Sequence, residues 1–272
     1  MYDEISPQRW VEAMGAFCDD EVEFYMWGGE PFCVDGTFDV VRGFAEYDFV
    51  QYARIDSNIS AAKKIVNRCP SEKIKINASW HTEYFDFDQM WKNVMLLREQ
   101  NMVAMVNFVG SDANMAYIKE AGIELDDLVA RFEDHGMFLN VAADFGKGND
   151  PEYRRFMSKY MPDEDWEHIH GEHPPHGAPC NAAEHFFWVG RDGELTSCGA
   201  MRKPWFQKKA EHEVLGNFLE GVVKPKVRTC PQTSCPSIIG YHQRKDNDMS
   251  HRRHLEDFVA RGRKHRLAVS GG

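Results

Sequence analysis

Apolar positions in the first 145 residues keep switching between two periods. The stretches VEFYMW (22–27), FVQYARID (49–56), KIKINASW (73–80), MVAMVNFVG (102–110) and MFLNVAAD (137–144) are short and mostly apolar. That pattern predicts strands buried on both faces, as in a parallel sheet. Between them, apolar residues recur at helical spacing in FDVVRGFAEY (38–47), AAKKIVNRC (61–69), FDQMWKNVMLLREQN (87–101) and a longer segment ending in ELDDLVARFEDHG (124–136). Met90, Val94 and Leu97 form one such stripe. Ahead of the first strand, Ser6-Pro7 before QRWVEAMGAF reads as a capped helix with Trp10, Met14 and Phe17 on one face. Strand and helix in alternation predict an α/β fold: a parallel sheet with helices outside, joined by right-handed crossovers.

In such a sheet the chemistry gathers where strands end and loops begin. Those ends carry Gly28-Gly29-Glu30, Ser57-Asn58, Ser79-Trp80-His81, Asn107 and Asp144. All are therefore expected on one rim, although any one of them alone reads as a loop cap or turn residue. The rhythm breaks after residue 147 in a Gly- and Pro-containing stretch that holds His168, His170, His173 and His176. Their spacing does not set two histidines on one helix face with a third ligand, so a solvated loop is expected there rather than a zinc site. The domain organisation predicted is a core over 1–172, a cysteine-rich domain over 173–245 and a C-terminal helix and tail over 246–272.

The chain of 272 residues has 43% hydrophobic residues and a formal charge of −11, a globular composition that argues against a non-specific grip on nucleic acid. The basic residues Arg252, Arg253, Arg261, Arg263, Lys264 and Arg266 are expected on a solvated helix face and tail. No apolar run reaches the roughly 18 residues of a membrane span, and MYDEISPQRW lacks the features of a signal peptide. A cytoplasmic protein with neither membrane nor nucleic-acid partners is predicted.

Of seven cysteines, Cys180, Cys198, Cys230 and Cys235 fall in the last third. HFFWV (185–189) and ELTSC (194–198) read as strands of a hairpin turned at Asp192-Gly193, both in positive backbone angles, with Cys180 towards one end and Cys198 at the other. Cys230 and Cys235 are each followed by proline, which keeps the backbone before it extended. Four thiolates on turns suit zinc or an iron–sulfur cluster. The Cys-x17-Cys and Cys-x4-Cys spacings depart from zinc knuckles and favour the cluster.

Taken together, GGEP at the end of the first strand, GELTSC in the cysteine hairpin and LGNFLEG (215–221) after it resemble the radical S-adenosylmethionine enzymes with a C-terminal SPASM or twitch-type auxiliary iron–sulfur domain. The resemblance covers about residues 5–240. It implies a partial TIM-like (β/α) barrel lacking its first strand, plus a small cysteine-rich auxiliary domain built on a β-hairpin. It implies that Gly28, Gly29 and Glu30 lie against the amino group of S-adenosylmethionine; by position alone, Ser57 and Asn58 are read as contacts to its methionyl or ribose part. Cys180, Cys198, Cys230 and Cys235 would hold an auxiliary [4Fe-4S] cluster. The reaction implied is hydrogen abstraction by a 5′-deoxyadenosyl radical from an unidentified substrate, with a peptide or protein as the expectation and an electron donor as a partner. The family's Cys-x3-Cys-x2-Cys motif, whose cluster cleaves the cofactor, has no match in this sequence. The expectation is therefore a truncated or degenerate member, with a non-catalytic iron–sulfur or zinc protein for binding or electron transfer as the alternative.

Overall fold

A computed structural model describes residues 5–170, 179–180, 182, 184, 186–197, 214–225, 228–229 and 251–270. It divides into two compact units. Asp19–Pro162 with Leu255–Gly272 forms a sheet unit; Met1–Cys18 with Asp163–His254 forms a cysteine-rich unit.

In chain order, helix α1 (Pro7–Met14) leads to strand β1 (Val22–Met26), α2 (Asp35–Glu46), β2 (Val50–Ser57), α3 (Ala62–Arg68), β3 (Ile74–Trp80), α4 (Phe87–Glu99) and β4 (Val103–Val109). Two helices, α5 (Asp112–Glu120) and α6 (Leu125–Asp134), precede β5 (Leu139–Ala142), and α7 (Pro151–Met157) and α8 (Asp163–Ile169) follow. The long helical segment expected before β5 is split because Gly122 takes the left-handed conformation (φ +65°) that ends a helix.

Strands β1 to β5 form one parallel sheet in sequence order, β1-β2-β3-β4-β5, as the strand–helix alternation predicts. One face is apolar. Phe24, Ala53, Ile55, Ile76, Trp80, Phe108 and Val141 point to it, and helices cover it with Phe38, Phe44, Ile65, Met90, Val94, Leu97 and Phe132. Trp80 anchors this layer, packing against Phe87, Phe108 and the edge of Tyr117. Asp86 caps α4, its carboxylate accepting from the Gln89 amide at 2.9 Å, and the Met90–Val94–Leu97 stripe is buried as expected.

The opposite face departs from the expectation that the strands are buried in apolar surroundings on both sides. In register across it stand Tyr25 and Arg54, Asp56 and Asn77, and then Ser79, Asn107 and Asn140. β1 is an edge strand with all five residues half-buried. Lower on the same face Tyr52, Met105 and Phe138 pack with Leu255, Phe258 and Val259 of helix α9 (His251–Ser270). Gly262 comes so close that a Cβ there would sit 2.5 Å from Phe138 Cζ.

The basic C-terminal residues are correspondingly not all solvated. Arg263 Nε donates to Glu133 Oε2 at 2.9 Å, and Arg266, with a side chain 12% exposed, lies over the Phe138 ring and also pairs with Glu133. Burial holds the Arg266 pKa below the usual guanidinium range, against the opposing pull of Glu133.

In the cysteine-rich unit, Ser6 caps α1 as predicted, and Trp10 and Phe17 stack on Phe218 at 5.6 and 5.3 Å. The antiparallel strands here are short: β6 (Pro179–Cys180), β7 (Trp188–Val189), β8 (Glu194–Thr196), β9 (Gly216–Asn217), β10 (Val222–Val223) and β11 (Arg228–Thr229). β7 and β8 make the expected hairpin. Gly193 has φ +80°, but Asp192 does not share a positive angle; its carboxylate instead accepts from the Glu194 amide at 3.2 Å. His170 is not in a solvated loop: its ring lies 4.1 Å from that of Trp166, with Nδ1 bonded to the Trp166 carbonyl. His173 and His176 lie outside the described residues. No described helix is long and apolar enough to cross a membrane.

Candidate functional site

Because β1 to β5 are parallel, their C-terminal ends share one edge of the sheet. There β1 runs into Trp27, Gly28 and Gly29, and Glu30 then caps a single helical turn (Pro31–Cys33). Its Oε1 accepts from the Phe32 amide at 3.1 Å and from Ser57 Oγ at 2.9 Å. Its Oε2 accepts from the Asn58 amide at 2.6 Å. One carboxylate thus ties the end of β1 to the end of β2, through charge-assisted bonds that are the stronger class of hydrogen bond.

Ser57 Oγ in turn accepts from the Ile59 amide at 2.9 Å, and Asn58 Oδ1 from the Ser60 amide at 2.9 Å. Ile59 has φ +56°, a conformation costly for a β-branched residue. It is fully buried and held by Asn93, whose side-chain amide donates to the Ile59 carbonyl at 3.1 Å. Strain of this kind persists where surrounding bonds over-determine it, and it concentrates at functional sites.

The two glycines have different reasons. Gly28 has φ +129°, which requires glycine. Gly29 has no such angle, and a Cβ built on it meets nothing within 4 Å. Nothing among the described residues therefore explains the missing side chain at Gly29. A carboxylate has about four lone-pair directions, and Glu30 uses three, leaving capacity for one further donor.

Next to this network on the polar face, Asp56 accepts from the Tyr25 hydroxyl and, at 2.7 Å, from Asn77 Nδ2. Arg54 lies 4.6 Å from the centre of the Tyr25 ring. Burial pushes the Tyr25 pKa well above the usual tyrosine range, opposed by Arg54 and reinforced by Asp56, so the hydroxyl is a fixed donor. This cluster is not anticipated in the sequence reading. Its signal was the alternation Tyr52-x-Arg54-x-Asp56 and Lys75-x-Asn77-x-Ser79, which marks one polar face rather than two apolar ones.

Of the other predicted rim residues, Ser79 and Asn107 lie on this polar face and Trp80 in the apolar layer, while Asp144 and His81 go elsewhere. Asp144 caps the turn after β5, accepting from the Gly146 amide at 2.8 Å, while its own amide donates to Tyr153 Oη. His81 sits 3.9 Å from Glu83 beside a groove of about 450 Å³ between the loops after β3 and β4, which Thr82, Val109, Ser111 and Asn114 also line.

In the cysteine-rich unit, β6 pairs with β11, setting Cys180 opposite Arg228 and Pro179 opposite Thr229. Cys198, Cys230 and Cys235 lie outside the described residues, and no cluster of metal-ligating side chains occurs among the described ones. Elsewhere Cys18 and Cys33 are exposed and Cys69 is buried. The Cys69 thiol donates to the Phe38 carbonyl, and burial pushes its pKa up to about 11, which marks it as structural.

No family model matches the sequence. No curated protein matches it either. Among solved structures it is similar to hexahistidine-tagged anSMEcpe with bound AdoMet, at 14% identity and a TM-score of 0.48, over 96% of this chain and 75% of that one. Native anSMEcpe with bound AdoMet and the Kp18Cys peptide is similar at 15% identity, with the same TM-score and coverage. Likeness at this level does not assign a family.

Proposed function

We propose that this chain is the core of a radical S-adenosylmethionine enzyme, a partial (β/α) barrel with an appended iron–sulfur domain, that binds S-adenosylmethionine at the rim of its sheet. One observation carries the reading. Glu30, Ser57 and Asn58, which the sequence marks as residues of separate strand ends, are joined by hydrogen bonds, with Gly28 and Gly29 immediately before Glu30. The residues fit the cofactor's amino-acid end: Glu30 retains room for one donor such as an ammonium, and Gly29 leaves open space where a side chain would stand. Asn58 and Ser57 fix the carboxylate so that its orientation needs no adjustment on binding.

When bound and reduced by a cluster, S-adenosylmethionine supplies a carbon radical that abstracts hydrogen. The chain's own cysteines do not fit that reducing cluster. No Cys-x3-Cys-x2-Cys is present, Cys18 and Cys33 have 14 residues between them, and Cys69 is committed to the core. This disagreement favours a second reading in which the chain binds the cofactor without cleaving it. The protein's own contribution under either reading is binding, orientation and a polar face for substrate.

Cys180, Cys198, Cys230 and Cys235 are proposed to hold one auxiliary [4Fe-4S] cluster. The β6–β11 pairing supports this, because it brings the backbone at Cys180 beside residues 228–229, immediately before Cys230; β8 ends two residues before Cys198. A peptide or protein substrate, an electron donor and a cytoplasmic setting belong to the same proposal.

The test is equilibrium binding of S-adenosylmethionine to the anaerobically reconstituted chain, with iron and sulfide analysis. Binding that Glu30→Ala removes is expected, together with about four irons per chain. Absence of cofactor binding overturns the enzyme reading. Zinc without labile sulfide, or a cluster that survives Cys198→Ala with Cys230→Ala, overturns the cluster assignment.

A further inference from the structure

We propose that Asn93, on helix α4, is a positioning residue for the Glu30 carboxylate: it holds the Ile59 turn in the conformation that aims the Asn58 amide at Glu30. This rests on the proposed function only for the ligand that the carboxylate meets. The side-chain bonds of Asn93 run to Ile59 and to Gln89, not to the rim residues themselves. Its Nδ2 donates to the Ile59 carbonyl at 3.1 Å, and its Oδ1 accepts from Gln89 Nε2, one turn earlier on α4, at 3.0 Å. The orientation of the carboxamide is thereby fixed. Reversed, it would set its oxygen against the Ile59 carbonyl, two acceptors with no proton between them.

Ile59 is where the chain needs that hold. Glycine or asparagine takes a left-handed φ with little strain, but the sequence puts a β-branched residue at +56° and its asparagine one place earlier. Three features keep Ile59 there. Its side chain is fully buried, its N–H donates to Ser57 Oγ at 2.9 Å, and its carbonyl is held. That carbonyl already accepts from the Ala62 amide at 3.1 Å, the bond that opens α3. The helix start is therefore served without Asn93, and the second bond to the same oxygen holds the turn.

The turn has little slack. β2 ends at Ser57 and α3 begins at Ala62, and the buried residues Ile55, Ala62 and Ile65 anchor the two elements. With both anchors fixed, a change of Ile59 to negative φ has to be absorbed by residues 58–61. The Asn58 amide is the group with least tolerance, because it donates to Glu30 Oε2 at 2.6 Å. Without that bond the carboxylate keeps only the Phe32 and Ser57 donors, both on Oε1, and Oε2 is released. A ligand that needs the aligned carboxylate then binds more weakly, by the fraction of molecules that still hold it.

The test compares Asn93→Leu with the wild-type chain, by NMR without ligand and by calorimetric titration with S-adenosylmethionine. The Asn58 amide proton, deshielded by a short charge-assisted bond, is expected to move upfield in the variant. Binding is expected to weaken about fivefold, the worth of one neutral hydrogen bond. Adding Ile59→Gly to Asn93→Leu is expected to bring the Asn58 signal and the affinity back towards wild type, because glycine takes a positive φ without strain. The melting temperature falls further in that double variant, which loses a buried side chain, so a purely structural role for Asn93 predicts the reverse order of affinities. Should the leucine variant not fold, Asn93→Asp, which sets an acceptor against the Ile59 carbonyl, carries the same expectation. An unmoved Asn58 signal, an unchanged affinity where that signal has moved, or a double variant weaker than the single one would each overturn the assignment. Absence of binding by the wild-type chain sinks the proposed function instead, and Asn93 is then decided by the Asn58 signal in the single and double variants.

Discussion

Glu30→Gln removes a charge and almost no volume, and it sharply tests whether one carboxylate joins the first two strand ends. Both oxygens accept, Oε1 from Phe32 N–H and Ser57 O–H and Oε2 from Asn58 N–H, so no orientation of a carboxamide satisfies all three. With its oxygen towards Phe32 and Ser57, the glutamine turns its own NH2 at the Asn58 amide. With the opposite orientation two donors are lost instead. The better choice forfeits one charge-assisted bond and weakens two, for a cost of about 2 kcal/mol. At about 2–4 °C per kcal/mol for a chain of this size, the melting temperature should fall by about 4–8 °C. Calorimetry measures the global effect and hydrogen exchange the local one. The Asn58, Ile59 and Ser60 amides should lose protection first, because Ser57 and Asn58 pass the constraint on to the strained Ile59 turn. A melting temperature within about 1 °C of wild type, with those amides equally protected, would refute the idea that this carboxylate organises the rim.

Gly29→Ala should leave the melting temperature unchanged, since its Cβ enters open space, yet should abolish S-adenosylmethionine binding measured by calorimetric titration. Intact binding would remove the reason given for that glycine. Phe138→Ala should cost about 3–5 kcal/mol, and limited proteolysis should then release α9, whose Gly262 and Arg266 lie against that ring. Tyr25 should contribute to the loss of stability at alkaline pH. Its pKa is raised by burial, so above the ordinary tyrosine value of 10.0 the unfolded chain loses a proton that the folded one keeps, and stability falls as pH rises. Tyr25→Phe should flatten that decline in denaturant titrations between about pH 9 and 11; an unchanged slope would show that another group dominates.

How far the sequence could be read depended on the range of the interaction. The helix start at Ser6, the order of strands and helices in the sheet, and the turn at Gly193 follow from local chemistry: a side chain that meets a neighbouring amide, an apolar period, a residue free to take positive φ. Gly28, Gly29, Glu30, Ser57 and Asn58 were legible as strand-end residues for the same reason. Their joining was not, because the bonds from Glu30 to Ser57 and Asn58 span 27 and 28 residues and depend on β1 lying beside β2. The polar face was hidden by composition: Tyr25, Arg54, Asp56 and Asn77 alternate with so many apolar residues that each strand reads as buried throughout. Only strand register shows that the polar positions coincide and the apolar ones turn towards the helices. The place of α9 is likewise tertiary, since Arg263 and Arg266 look like a solvated basic tail until Glu133 and Phe138 are brought next to them. By itself the sequence determined the alternation of strands and helices in the sheet unit and the residues at the strand ends. Packing decided which of those residues share a site, because hydrogen-bond partners and buried neighbours far apart in the chain are chosen by the sheet's register and not by spacing along the backbone.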